Sequence, residues 1–449
     1  MQIRKIFGGG GSYIYIFIVA ILLLMFLRNA LHIEIPVSVI LLLSVIPVCI
    51  ATPSQMMAML MSFIPLATGF QYKYALLLYV IIGIIRFGKL LSISKVVPVV
   101  AAMMIWELAH VDDTFLMSEY LRSFAELLLL GFVTSIKWKE IDYKLIARSL
   151  AIATIGVSLI IIYIQINSGL GSLMDMLAQG AAEYRFGQNT TEEGTAFGLN
   201  FNANQLGFIC NMSIAALLML IARKEHSMLD ITMVVALVFF GAMTLSRTFV
   251  AVALLLFVSY IFLLPGSYKQ RSRNILLLLI IAPIFVWGIF EFAPSIIENF
   301  AARNDVDDIT NGRAGLMAFY NDHIFSSFNN CFWGLGLQGY GSEIANLYGH
   351  QVEVCHNSIQ ELWVAWGFVG VLLFGLMVLY MIITSKRWSR NRTLFAFMPL
   401  CALLFSSMAG QLISSGSSLL SLSLTYIIMC LDWRQTSIHQ KITDNYAQR

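Results

Sequence analysis

The sequence predicts an all-α, polytopic membrane protein, a bundle of 12–14 transmembrane helices with a large extracytoplasmic loop. Hydrophobic residues make up 59% of the chain and charged residues 12%, whereas soluble domains are about half apolar and about a quarter charged. Apolar stretches of about 20 residues, long enough to cross a bilayer, recur from end to end. Because few gaps between them exceed about 30 residues, which leaves no room for a large soluble domain, residues 1–449 are predicted to form a single integral membrane domain.

Fourteen apolar stretches are candidate spans. The third and fourth are short, and one re-entrant hairpin there would leave twelve spans and the same orientation. The first has a basic start like a signal peptide but no small-residue cleavage site, so we predict a retained helix. In chain order the stretches lie near residues 12–31, 35–52, 56–71, 74–88, 95–110, 119–136, 147–166, 203–222, 229–245, 247–264, 275–292, 357–384, 394–412 and 417–432.

The distribution of charge orients these spans. With the N-terminus in the cytoplasm, most of the 28 lysines and arginines fall in inner loops, as the positive-inside rule requires. Both termini are therefore predicted to be cytoplasmic. Because the basic residues serve topology, the net charge of +3 gives no reason to expect a nucleic-acid partner.

Two long outer loops, 167–202 and 293–356, are where we expect the function. The inner loops are short and contain neither a phosphate-binding loop nor a dinucleotide fingerprint, which disfavours nucleotide-driven chemistry there. An amphipathic helix over about 313–327 is predicted to lie on the membrane surface. Cys331 and Cys355 lie in the larger loop, where they form either a disulfide or two free thiols.

The basic residues left outside are nearly all arginines, which bind phosphate bidentately. This enrichment indicates an anionic ligand, the alternative being ion pairs with acidic residues of the loops. Arg185, Arg247 and Arg313 are the candidates. Arg247 interrupts an apolar run at a tight outer turn, where an ionisable residue indicates function unless it snorkels to the headgroups. The full set is Arg28, Lys73, Arg122, Arg185, Arg247, Arg303 and Arg313.

Polar residues also gather where the span after the large loop begins. His356 can serve as a general base at neutral pH, or it can be an interfacial histidine without a catalytic role. Asn357 or Ser358 is suited to cap the helix. Gln360 shares the face of His356 one turn on, and Glu361 lies close to Asn357 and Ser358. His110 with two following aspartates, and residues 304–308, are weaker metal candidates that more often form solvated loops, so no metal or cofactor is expected.

Four stretches carry a family resemblance: "NFNANQLGFICNMSIAALLML", "TLSRTFVAVALLLF", "NGRAGLMAFYNDHI" followed by "WGLGLQGYG", and "HNSIQELWVAWGFVGVLLF". In this order, across about residues 185–375, they resemble the O-antigen ligase/polymerase superfamily, which includes the Wzy-type polymerases. The N-terminal half matches only as generic spans. Trp333 stands where the superfamily often has proline, which puts the conformation of that loop in doubt.

The resemblance implies a GT-C-like, metal-independent glycosyltransferase of the bacterial inner membrane. Its donor and acceptor would be undecaprenyl-diphosphate-linked glycans, and its partner proteins a chain-length regulator and a flippase. Carried over by motif, Arg247 and Arg313 are predicted to bind the diphosphate, Arg185 matches less closely, and His356 is the catalytic candidate. The orienting or acceptor-binding positions are Asn204, Asn357, Gln360 and Glu361.

Three functions remain open from the sequence. We favour a polymerase of O-antigen, capsule or exopolysaccharide repeats, because such polymerases are so diverse that motif-level likeness is typical of them. A ligase that moves the glycan to lipid A core shares most of the motifs. A polysaccharide flippase is disfavoured, because flippases show internal repeats and mid-membrane ionisable residues. No repeat relates the two halves here, and the clustered arginines and histidine of the large outer loop are expected at the surface rather than at the midplane.

Overall fold

The computed structural model describes residues 12–66, 72–110, 117–138, 141–167, 186, 203–222, 226–263, 272, 313–337, 357–388, 394–408 and 418–431. Within these ranges the chain forms fifteen α-helices and three short 3-10 helices. One isolated antiparallel bridge joins Leu91 to Ile136. The predicted all-α class is confirmed.

The α-helices follow the apolar stretches closely. They are α1 Ser12–Asn29, α2 Val37–Val45, α3 Pro53–Leu66, α4 Tyr72–Phe87, α5 Val96–Leu108, α6 Met117–Ser135, α7 Tyr143–Asn167, α8 Ala203–Ala222, α9 Met228–Met243, α10 Arg247–Leu263, α11 Arg313–Phe325, α12 Phe328–Phe332, α13 Ser358–Trp388, α14 Met398–Met408 and α15 Ser418–Met429. The 3-10 helices are Ile46–Cys49, Gly88–Leu90 and Leu394–Phe397.

Helix lengths divide the bundle into long and short elements. Three described helices are long and apolar enough to cross a membrane: α7, α8 and residues Ser358–Ser385 of α13. Most others are shorter apolar helices, such as α9 with 16 residues, about 24 Å of helix at about 1.5 Å per residue. The predicted span at 275–292 lies outside the described residues. The two short spans form separate helices, α3 packed against α7 and α4 packed against α6.

Polar contacts between helix ends show which ends lie on the same side. The Asp142 N–H, just before α7, donates to Ser54 Oγ at the start of α3 at 2.8 Å. Arg86 near the end of α4 donates to the Val48 carbonyl beyond α2 at 2.6 Å. This side of the bundle, called here the basic end, also carries Lys89, Lys95, Lys137, Lys144 and Arg148.

A buried ion pair ties α7 to α9 at the basic end. Arg148 donates from Nε to Asp230 Oδ1 at 2.7 Å and from Nη2 to Asp230 Oδ2 at 2.8 Å. Asp230 is fully buried and completes a capping box with Ser227 at the start of α9. Because the pair is bidentate and the carboxylate is desolvated, it fixes the relative position of the two helices.

Helix α8 is largely buried and packs against α7, α9, α10, α14 and α15. Small and polar side chains line part of this contact. Thr154 of α7 and Ser213 of α8 share a buried hydrogen bond of 2.9 Å, and Asn211 donates to the Phe249 carbonyl of α10 at 3.2 Å. These bonds hold α8 between α7 and α10. Because α8 ends at Ala222, shortly before α9 begins at the basic end, the N-terminus of α8 lies opposite that end. That opposite side, called here the site end, carries the end of α5 and the starts of α8, α10 and α13.

Candidate functional site

The tight turn between α9 and α10 has an unusual backbone. Leu245 has a φ of 49°, in the left-handed region that L-residues other than glycine, asparagine and aspartate seldom occupy. Ser246 follows, and its Oγ accepts from the Phe249 N–H at 3.3 Å, which makes Ser246 the N-cap of α10. Arg247 is then the first residue of the helix and is half-buried. Strained backbone of this kind clusters at functional sites.

Asn204 at the start of α8 is held beside this turn. Its Oδ1 accepts a hydrogen bond from Ser246 Oγ at 2.9 Å. Glycines allow the close approach: a Cβ at Gly207 would lie 3.1 Å from Phe249 Cβ, and one at Gly241 would collide with the Phe249 ring. The structure therefore brings together two of the predicted site positions, Asn204 and Arg247.

A second group of predicted residues joins α11 to the start of α13. Asn357 caps α13, since its Oδ1 accepts from the Ile359 N–H at 3.0 Å. Gln360 Nε2 donates to the Met317 carbonyl at 3.1 Å and to Asn321 Oδ1 at 2.8 Å. The backbone of Arg313 begins α11, one turn before Met317. Glu361, next to Gln360, is completely buried.

The glycine-rich loop 333–337 docks onto a break in α13. The single predicted span is two helical segments that meet at Gly367, where φ is 62° and ψ is −170°. The break frees carbonyl groups that a continuous helix would use internally. Val364 O accepts from the Leu335 N–H at 2.9 Å, and Ala365 O accepts from the Gly336 N–H at 2.6 Å. The amides of the loop and the freed carbonyls of the helix thereby satisfy each other's hydrogen-bonding capacity.

Close approach at this joint requires glycine on both sides. Gly334 has a φ of 81°, and a Cβ there would lie 2.5 Å from the Gly367 N. A Cβ on Gly367 would collide with the Phe332 carbonyl. Trp333, at the position where the sequence departs from the superfamily, stacks on Trp106 of α5 with ring centroids 4.5 Å apart. The departure is thus accommodated by an aromatic partner from the N-terminal half.

Glu107 of α5 is a residue of this region that sequence reasoning missed. It is 4% exposed, and its Oε2 accepts from Trp366 Nε1 at 2.5 Å. The Leu337 N–H lies 3.1 Å from both carboxylate oxygens. The neighbouring Trp106 Nε1 donates to the Trp366 carbonyl at 2.9 Å, the third carbonyl at the break. The signal that could have found Glu107 was present, a lone carboxylate within an apolar stretch.

His110, the weak metal candidate, is engaged in the same joint. Its Nδ1 lies 2.8 Å from the Trp106 carbonyl and its Nε2 lies 3.0 Å from the Trp333 carbonyl. Both ring nitrogens therefore have backbone partners. Among the described residues there is no group of three or more metal-ligating side chains.

Several predicted positions are only partly described. His356, Arg185 and Cys355 lie outside the described residues, as do residues 111–113 and 304–308, and of Arg313 only the backbone is described. Phe186, next to Arg185 in the sequence, is buried and stacks on Phe240 of α9 with centroids 6.1 Å apart. Cys331 in α12 is a free, partly buried thiol.

Two of the residues predicted to bind the diphosphate stand at the starts of helices. Arg247 is the first residue of α10, and the backbone of Arg313 begins α11. The N-terminus of a helix favours negative charge through the helix dipole. Helix α14 packs against both α10 and α13, the helices that begin at the two groups of residues. Diphosphate binding and catalysis by these side chains stay predictions.

Comparison with known proteins supports the motif reading. Residues 231–375 match the model of the Wzy_C family, described as O-antigen ligase. The segment contains the α9–α10 turn, the start of α11, the glycine-rich loop and the broken helix α13. No curated protein matches the chain significantly. The resemblance to the O-antigen ligase/polymerase superfamily is confirmed over this segment.

Proposed function

We propose that this chain, whose residues 231–375 match the Wzy_C family, is a polysaccharide polymerase. It joins undecaprenyl-diphosphate-linked repeat units of O-antigen, capsule or exopolysaccharide. The family supports the coarser statement, a membrane enzyme that links polysaccharides. The donor, the acceptor and the independence from metal are the specific parts of the proposal.

The observation that carries the proposal is the turn before Arg247, which is held in place by hydrogen bonds. Leu245, Ser246 and Asn204 fix the backbone of this turn, so that Arg247 is the first residue of a helix. A diphosphate leaving group needs positive charge that does not titrate, because negative charge develops on it as the glycosidic bond breaks. Arg247 and Arg313 are proposed to supply that charge, with Arg185 contributing from the smaller loop.

The acceptor hydroxyl needs a base within reach, and His356 is proposed for that role. The hydroxyl oxygen attacks the anomeric carbon, the bond from that carbon to the diphosphate oxygen breaks, and the hydroxyl proton passes to His356. The lipid diphosphate then leaves. His356 directly precedes Asn357, whose cap defines the start of α13. Gln360 and Glu361 are proposed to orient the acceptor side of the site.

The site end is proposed to face the periplasmic side of the inner membrane. The described lysines concentrate at the basic end, in keeping with a cytoplasmic location and cytoplasmic termini. A lipid-linked donor already flipped to that outer side needs no soluble nucleotide site. A chain-length regulator and a flippase are then the expected partner proteins.

A second candidate, transfer of finished glycan to lipid A core, is favoured by the printed description of the matching family as O-antigen ligase. A strain that lacks the gene separates the candidates. Single repeats left on the lipid carrier support polymerase, whereas bare core with accumulated lipid-linked polymer supports ligase. Accumulation of unflipped repeat units on the cytoplasmic side contradicts both the polymerase and the ligase and supports a transporter.

Variants of the same strain test the residues. His356→Ala and Arg313→Ala are each expected to abolish chain extension while the protein stays in the membrane. Lys73→Ala is the matched control, since it removes a cation at the site end to which no role is given. Normal chain extension by either site variant contradicts the assignment of that residue.

A further inference from the structure

The turn from α11 into α12 exposes a group of aromatic side chains, called here the aromatic surface. It consists of Phe325, Phe328, Phe332, Trp333 and Phe368. Phe328 is 76% exposed and Phe325 is 65% exposed. Phe328 and Phe332 stack on each other with centroids 5.2 Å apart. Soluble proteins seldom expose so many neighbouring aromatic rings without a partner.

The aromatic surface continues a lipid-facing stripe of α13. Phe332 contacts Phe368, with centroids 6.1 Å apart, and Phe368 is 39% exposed. From Phe368 the exposed apolar positions recur at helical spacing along the span. They are Leu372, Leu376, Leu379 and Ile383. This stripe belongs to a helix that is long and apolar enough to cross a membrane, and the aromatic surface adjoins its first exposed position, Phe368.

The composition and backbone of this segment suit a lipid environment. No Asp, Glu, Lys or Arg occurs from Ile324 to Ser342, although the segment belongs to a long loop. Irregular backbone survives at membrane depth only where its polar groups are satisfied by protein. The amides of Leu335 and Gly336 meet this requirement through the carbonyls of Val364 and Ala365.

We propose that the aromatic surface is docked in the acyl-headgroup boundary of the leaflet at the site end. Phenylalanine-rich faces insert about 5–10 Å into this boundary. The Asn329 side of α12 is exposed and polar, so the short helix presents one face to lipid and one to water. The docking would hold the start of α13 at the depth where a lipid-linked diphosphate lies. That consequence rests on the proposed function, whereas the docking itself does not.

Spin labels at single cysteines test the depth of this surface in the full chain. The six native cysteines are replaced, and Phe328→Cys and Asn329→Cys are labelled in lipid nanodiscs. Leu376→Cys supplies a lipid-facing reference, and Asp322→Cys supplies a water-exposed reference. The readout is the ratio of collisions with oxygen, which enriches in lipid, to collisions with a water-soluble nickel chelate. It needs no catalytic activity.

The expected ratio at Phe328 is close to that at Leu376 and several-fold above those at Asn329 and Asp322. Equal ratios at Phe328 and Asp322 overturn the proposal, because the surface then faces water. Protection of Phe328 from both reagents also overturns it, because protein, such as a second copy of the chain, then covers the surface. Should the labelled variants misfold, the conservative Phe328→Trp variant gives a second measurement. Its added emission is expected to be quenched by lipids brominated high on the acyl chain, and unquenched emission contradicts the docking.

Discussion

Replacing Glu107 by alanine removes the carboxylate that joins α5 to the glycine-rich loop and to α13. Two buried donors then lose this acceptor, Trp366 Nε1–H at 2.5 Å and the Leu337 N–H at 3.1 Å. Leaving a buried donor unsatisfied costs about 1–3 kcal/mol, so the variant is expected to lose about 2–6 kcal/mol of folding free energy. That is a large share of a total stability of about 5–15 kcal/mol.

Glu107→Gln is the matched control for this prediction. Its amide oxygen has two lone pairs and can accept from both donors, so its loss is expected to be smaller than that of Glu107→Ala. Thermal unfolding of the purified protein in detergent measures both variants in a background that keeps only Cys210 and Cys430, whose buried thiols react with a dye when the protein unfolds. The expected order of stability is wild type, glutamine, alanine. An alanine variant that unfolds at the wild-type temperature refutes the reasoning.

Three further substitutions test other parts of the structure. Arg247→Lys keeps the charge but not the bidentate geometry, and it is expected to lower glycan transfer strongly in a reconstituted assay while folding normally. Gly367→Ala is expected to reduce the yield of folded protein, because the φ of 62° and the nearby Phe332 carbonyl exclude a side chain. The control Gly375→Ala is expected to be tolerated in the same expression test, because an added Cβ there has no neighbour within 4 Å. Asp230→Ala leaves Arg148 without its buried partner and is expected to cost about 3–5 kcal/mol in thermal unfolding; an unchanged midpoint contradicts the structural role of this pair.

The helices and some of their ends could be predicted from the sequence because their causes are local. Apolar stretches of sufficient length predicted the spans, and the polar residues at the start of one stretch predicted a cap at Asn357 or Ser358, of which Asn357 is the one observed. The tight turn at Arg247 followed from the charge pattern and the polar break in one apolar run. Its left-handed Leu245 did not follow, because a leucine gives no local signal for that conformation.

The joint around Glu107 could not be predicted because its causes are distant in sequence. Glu107 and Trp366 are 259 residues apart, and no periodic pattern relates them. The break at Gly367 was also missed, because residues 357–384 have the continuous hydropathy of one span. The break becomes stable only when the loop 333–337 supplies donors to the freed carbonyls. The N-terminal half, which matched the superfamily only as generic spans, thus contributes directly to the site end.

The most direct test of the central claim uses the purified protein in nanodiscs with undecaprenyl-diphosphate-linked repeat units, with and without a chelator. Our account predicts a ladder of longer glycans that remain on the lipid diphosphate, with release of free undecaprenyl diphosphate and no effect of the chelator. Repeat units that stay single, or glycan that moves only when lipid A core is added, would contradict the assignment as a polymerase.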